Sequence, residues 1–88
     1  MTGGEILIEC LKAQGVKDIV GMPGNQNIFI YDALLRIGGI NHYLIRNEQS
    51  ATLVANGYAR ASGEVGVALT VPGPGSTNAS TGIVDAFT

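Results

Sequence analysis

Two hydrophobic periods alternate along this chain, and each change of period marks a change of element. Leu7, Cys10, Leu11 and Gln14 recur at helical spacing behind Thr2-Gly3-Gly4-Glu5, whose Thr and Glu stand at capping-box offsets. Gly15 supplies the stop, and residues 16–20 read as a short apolar strand. The segment Gly21-Met22-Pro23-Gly24-Asn25 is a turn feeding a second helix at about 28–36, with Tyr31, Leu34 and Leu35 on its inner side. Gly38-Gly39 ends that helix, residues 42–46 form a second strand, and Asn47 caps a helix running from Glu48 to about Ala61. Ser62-Gly63 closes it. The run "VGVALTV", 65–71, reads as a third strand buried on both faces, and "PGPGSTN", 72–78, as a glycine-rich turn before a last helix through Ala86.

The order helix-strand, repeated, predicts an α/β fold: a parallel sheet covered by helices, flavodoxin-like or doubly wound, partial, with about three strands and four helices. Three strands are few for such a sheet, and the last helix reaches Thr88 without Gly, Asn or Pro to end it. The expectation is therefore one unit over residues 1–88, the amino-terminal piece of a larger domain.

Composition narrows the chemistry. A formal charge of −2, with Lys12, Lys17, Arg36, Arg46 and Arg60 dispersed, offers no surface for nucleic acid or an anionic membrane. A single Cys10 excludes an internal disulfide and a multi-cysteine metal site, and its place in the helical pattern predicts a buried, inert thiol. No leader pattern opens the chain and no apolar run approaches the ~18 residues of a membrane span. A cytoplasmic setting is expected.

Ligands of open parallel sheets gather at the carboxyl ends of the strands. Three loops have that position: 21–27, 47–49 and 72–78. Two are rich in Gly and Pro, so backbone can approach a ligand closely; the third carries the carboxylate of Glu48. On its own, an acidic residue at a helix start is explained by the macrodipole, at about 0.3–1 kcal/mol. The 72–78 loop could present N–H groups to a phosphate, but Asn78 replaces the third Gly of G-x-G-x-x-G and no Lys follows Lys17 to make a P-loop. Ser50, Ser76 and Ser80 have no His at triad spacing, and His42 reads as an ordinary strand residue.

The segments "TGGEILIECLKAQGV", "GMPGNQN" and "IRNEQSATLVANGYARASGEVGVALTVPGPGSTN" together resemble thiamine diphosphate-dependent enzymes, in the acetolactate synthase-like branch of 2-oxo-acid decarboxylases and carboligases. The likeness covers essentially all 88 residues, as about the first half of a pyrimidine-binding domain. Its most specific part is E-Q-x-A-x-x-x-A-x-G-Y-A-R-A-x-G followed by G-P-G-x-x-N.

The resemblance implies a catalytic role for Glu48: its carboxylate hydrogen-bonds N1′ of the cofactor aminopyrimidine and favours the imino form that activates thiazolium C2. It implies that Pro23 and Gly24 lie against the cofactor, and that the stretch from Gly73 to Asn78 lines the same cleft and a subunit contact. It also implies a homo-oligomer with sites between subunits and a small 2-oxo-acid substrate. The cofactor is then thiamine diphosphate with Mg²⁺ held through a G-D-G…N motif on another domain; no G-D-G occurs here. The 88 residues alone are accordingly expected to bind cofactor weakly and not to turn over. One departure is Asn47, where relatives of this branch commonly have His, so a role for that His in turnover does not transfer. Two other classes fit the residues: a Rossmann-like nucleotide- or phosphate-binding module using 72–78, and a non-catalytic fragment that self-associates through uncovered apolar faces. The first lacks an acidic residue after the second strand, where Arg46-Asn47 stands.

Overall fold

A computed structural model describes residues 1–88. Helix α1 (Gly3–Ala13) leads to strand β1 (Asp18–Gly21), a single 3-10 turn (Asn25–Asn27) and α2 (Ile28–Ile37). Strand β2 (Asn41–Leu44), α3 (Glu48–Ser62), β3 (Ala68–Leu69) and α4 (Pro74–Phe87) complete the chain. The sheet is wholly parallel in the order β2-β1-β3, with Val20 opposite Tyr43 on one side and Ala68 on the other. The α/β class, its four helices and its three parallel strands are those the hydrophobic pattern predicts.

The central strand shows how the layers are held. Successive strand side chains point to opposite faces. Ile19 joins Ile8, Ala33, Leu34 and Ile40 beneath α1 and α2, whereas Val20 joins Ala51 and Ala55 beneath α3. Helix α4 rests on α3: Thr52 Oγ1 lies 3.2 Å from the Ala79 carbonyl, Asn56 donates to Asp85, and Arg60 donates to the Asp85 carbonyl at 3.0 Å. The outer side of α4 leaves Ile83, Val84 and Phe87 exposed.

Local signals act as the sequence indicates. Thr2 Oγ1 accepts from the Glu5 N–H at 3.2 Å, while Glu5 Oε1 accepts from the Thr2 N–H at 2.9 Å. These bonds and the Arg36 guanidinium, 3.2 Å from Glu5 Oε2, hold the Glu5 carboxyl down at about 2. Gly63 ends α3 in the left-handed conformation, φ 75°, and returns its N–H to the Ala59 carbonyl.

Four expectations are corrected. Cys10 is exposed, because the face of α1 that meets α2 runs through Gly4, Ile8 and Leu11, about half a turn from it. Leu35 is exposed for the same reason of phase, and Ala33, Leu34 and Ile37 take the inner face of α2 instead. The third strand shrinks from 65–71 to two paired residues and is only half-buried, since β3 is an edge strand with β1 as its sole neighbour. The last helix begins at Pro74, so most of the expected 72–78 turn is helix; Pro at the first position forfeits no hydrogen bond that the helix needs. No helix is long and apolar enough to cross a membrane.

Candidate functional site

All strands being parallel, their carboxyl ends share one edge, and the segments after β1, β2 and β3 open there. After β1, Gly21 is buried, and a Cβ on it would strike the Leu69 carbonyl of β3 and come within 2.8 Å of Tyr31 Oη. The turn that follows is organised by buried Asn27, whose Oδ1 accepts from the Gly24 N–H at 2.7 Å and whose Nδ2 donates to the Met22 carbonyl at 3.3 Å. Pro23 is exposed and Gly24 half-buried.

After β2, Asn47 takes an extended conformation and caps α3, its Oδ1 accepting from the Gln49 N–H at 2.8 Å. Glu48 is therefore the first residue of α3, and it is 7% exposed. A carboxylate is costly to bury without a partner. Yet the Glu48 carboxylate takes part in no hydrogen bond and no ion pair within the chain; the three ion pairs join Lys12 to Glu9 and Arg36 to Glu5 and Asp32. Its oxygens are not sealed from solvent, since no fully buried side-chain oxygen lacks a partner.

After β3, Val71 and Pro72 lead to Gly73, which turns at φ 76° and begins α4 without a side-chain cap. Gly75, in the first turn of α4, is buried against Glu48: a Cβ there would stand 3.3 Å from Glu48 Oε2 and 2.9 Å from Val71 Cγ2. A Cβ on Gly24 would in turn collide with Val71 Cγ1. The three segments thus converge on Val71, with Glu48 and Gly75 on one side of it and Gly24 on the other.

Of the residues singled out in the sequence, Glu48 and Gly24 lie in this junction, while Pro23 and Gly73 adjoin it along the chain. Asn78 falls within α4, exposed and without a side-chain hydrogen bond. Val71 and Asn27 were not singled out as site residues, whereas Gly75 lies within the Gly73–Asn78 stretch expected to line the cleft. The signal for Gly75 was present, since it is the second Gly of "GPG"; Val71 carries no motif and Asn27 only a place in "GNQN".

The larger concavities lie elsewhere. One of about 420 Å³ sits between α3, β3 and α4, lined by Ala55, Gly66, Ala68, Ala79 and Gly82. Another of about 350 Å³ lies under α3, lined by Val20, Tyr43, Ile45, Val54 and Tyr58. Both are gaps between apolar layers, and neither touches Glu48. Near the root of the first turn, Tyr31 Oη and His42 Nε2 are 2.8 Å apart with their rings edge to face. Burial pushes the Tyr31 hydroxyl up to about 12 and lowers His42. No three His, Cys, Asp or Glu side chains gather as metal ligands would.

Glu48 and Gly75 thus bring a carboxylate and a side-chain-free stretch of backbone together at the strand exits. Residues 1–88 match the family described as thiamine pyrophosphate enzyme, N-terminal TPP binding domain. The chain is 52% identical over 87 residues to the acetolactate synthase isozyme 3 large subunit of Escherichia coli strain K12, covering 99% of this chain and 15% of that protein. It is 49% identical over 87 residues to the acetolactate synthase large subunit of Buchnera aphidicola subsp. Schizaphis graminum, with the same coverage. Against the probable acetolactate synthase large subunit of Methanocaldococcus jannaschii it is 48% identical over 87 residues, again 99% and 15%. The chain thus spans about 15% of the length of these relatives.

Proposed function

The chain belongs to the thiamine pyrophosphate enzyme N-terminal TPP-binding domain family, and from that premise we propose that it is the first part of the pyrimidine-binding domain of an acetolactate synthase-like enzyme, with Glu48 as the residue that activates the cofactor. The observation that carries this reading is Glu48, a residue 7% exposed at the strand exits whose carboxylate is neither paired within the chain nor sealed off from a ligand.

The residues present fit the aminopyrimidine end of thiamine diphosphate. Glu48 offers the acceptor, and Gly24 and Gly75, which have no room for a side chain against Val71, present bare backbone beside it. When bound, the cofactor supplies an electron sink for breaking and making bonds to the carbonyl carbon of a 2-oxo acid. Glu48 holds and returns a proton at the pyrimidine N1′ position. The extended backbone of Asn47 and the cap it forms fix where that carboxylate begins. Gly24, held by Asn27, keeps the facing turn low. On this reading the diphosphate and its Mg²⁺ would be held by residues outside these 88, and a second subunit would complete the site.

Glu48→Gln in the complete enzyme tests the proposal. It keeps shape and a hydrogen bond but removes the exchangeable carboxyl proton, so C2-proton exchange on bound cofactor should fall by about a hundredfold or more. Exchange at the unaltered rate would rule out the role given to Glu48.

A further inference from the structure

The three turns owe their spacing to one side chain that bears no polar atom. Val71 stands two residues beyond the last paired residue of β3 and is half-buried. Its Cγ1 fills the space that a side chain on Gly24 would need, and its Cγ2 lies 2.9 Å from the position of a Cβ on Gly75. That same Gly75 position is 3.3 Å from Glu48 Oε2 and 3.5 Å from Glu48 Cγ. One isopropyl group therefore touches the first turn and the third, and through Gly75 it backs the carboxylate that begins the second.

Resting on the function proposed above, we propose that Val71 is a positioning residue whose two methyl groups set the distance between the Gly24 turn and the Glu48–Gly75 pair, and so where an aminopyrimidine ring meets the carboxylate. A β-branched side chain suits this task, because its χ1 is nearly fixed and both methyl positions are fixed with it. The two glycines make the arrangement strict. With no side chains of their own, they leave Val71 as the only filler between the turns, and its loss opens a gap that neither can close. Misplacement of a reacting group by about 1 Å can cost ~100-fold in rate, so a gap the width of a methyl group matters here more than in the core.

The test uses the complete enzyme and three readouts: calorimetric affinity for thiamine diphosphate, C2-proton exchange at saturating cofactor, and the thermal midpoint. Val71→Ala should lower both affinity and exchange, the latter by about tenfold or more, while Val71→Thr, which keeps two branches, should recover most of each. A drop in thermal midpoint alone, with affinity and exchange intact, would reduce Val71 to ordinary packing and overturn the proposal. Gly24→Ala drives a methyl group into Val71 and should weaken cofactor binding; adding Val71→Ala should restore part of it. If Val71→Ala does not fold, Val71→Thr and Gly24→Ala carry the test, and Gly24→Ala binding cofactor as tightly as the parent overturns it. Glu48→Gln separates the two readings: if that variant exchanges normally, the site assignment fails, whereas if it alone loses exchange, only the role of Val71 fails.

Discussion

Beneath α1 and α2 the buried side chains are branched apart from Ala33, namely Ile8, Ile19, Leu34 and Ile40, whereas around α3 the buried apolar residues other than Val20 are small: Ala51, Ala55, Gly75, Ala79 and Gly82. The first side gains its stability from apolar area removed from water. The second gains little per residue, but it lets backbones approach: a Cβ on Gly66 would strike the Ala55 carbonyl, and one on Gly82 would strike Thr52. Close approach is what brings the first turn of α4 against Glu48. The difference assigns holding to one face and placing to the other. It also accounts for the only buried charged residue lying on the sparsely filled side, at the end where the helices meet the strand exits.

The contrast breaks most plainly at Ile19, which is 2% exposed. Ile19→Ala should cost about 2–5 kcal/mol, because the lost transfer energy is joined by a cavity that the surrounding branched residues cannot close. Urea unfolding would measure it. A cost no larger than that of an exposed substitution would mean that the α1–α2 side is not the main source of stability.

Gly82→Ala probes the other face and should cost less, about 1–3 kcal/mol by overpacking. Its added Cβ would lie 2.9 Å from the Leu53 backbone nitrogen as well as against Thr52, so a simple side-chain rotation does not relieve it. The variant should also loosen the α4 turn that holds Gly75, and C2-proton exchange in the complete enzyme should fall further than its stability loss implies. Equal losses in both would show that the small-residue face holds the fold as the branched face does and places nothing.

How much of this was legible in the sequence follows from the range of each interaction. The Thr2–Glu5 box, the Asn47 cap and the Gly63 stop depend on residues within four positions, and all three stand where the sequence indicated. The phase of α1 depends on which face α2 covers, and there the pattern misled: Cys10 was given an inward place that belongs to Ile8. The length of β3 depends on a neighbour across its open edge, so an apolar run of seven residues yields two paired ones. At the site, Glu48 stood out by its position between strand and helix. Val71 did not, because its importance comes from Gly24 and Gly75, forty-seven residues before it and four after it, and from a gap that no local pattern describes.

The smallest expected effect lies where the two faces meet the first turn, at Tyr31 and His42, 2.8 Å apart. Burial lowers the His42 pKa below its ordinary 6.5, so the unfolded chain binds the proton more readily than the folded one. Stability should be full above pH 6.5 and should drain as the pH falls through that value towards the lowered folded one. Burial raises Tyr31 from 10.0 to about 12, which gives the opposite limb: stability should decline as the pH rises from 10 towards 12. No acidic or basic side chain forms a hydrogen bond or an ion pair with either ring, but Tyr58, raised by its hydrogen bond to Glu64, shares the alkaline limb with Tyr31. Tyr31→Phe should shrink the alkaline limb to what Tyr58 contributes while leaving His42 without its hydroxyl partner, and His42→Gln should erase the acid limb. Urea midpoints measured from pH 5 to 11 would show both. If His42→Gln keeps the acid limb unchanged, the proton responsible sits on one of the carboxylates, and the pair beneath the first turn contributes packing alone.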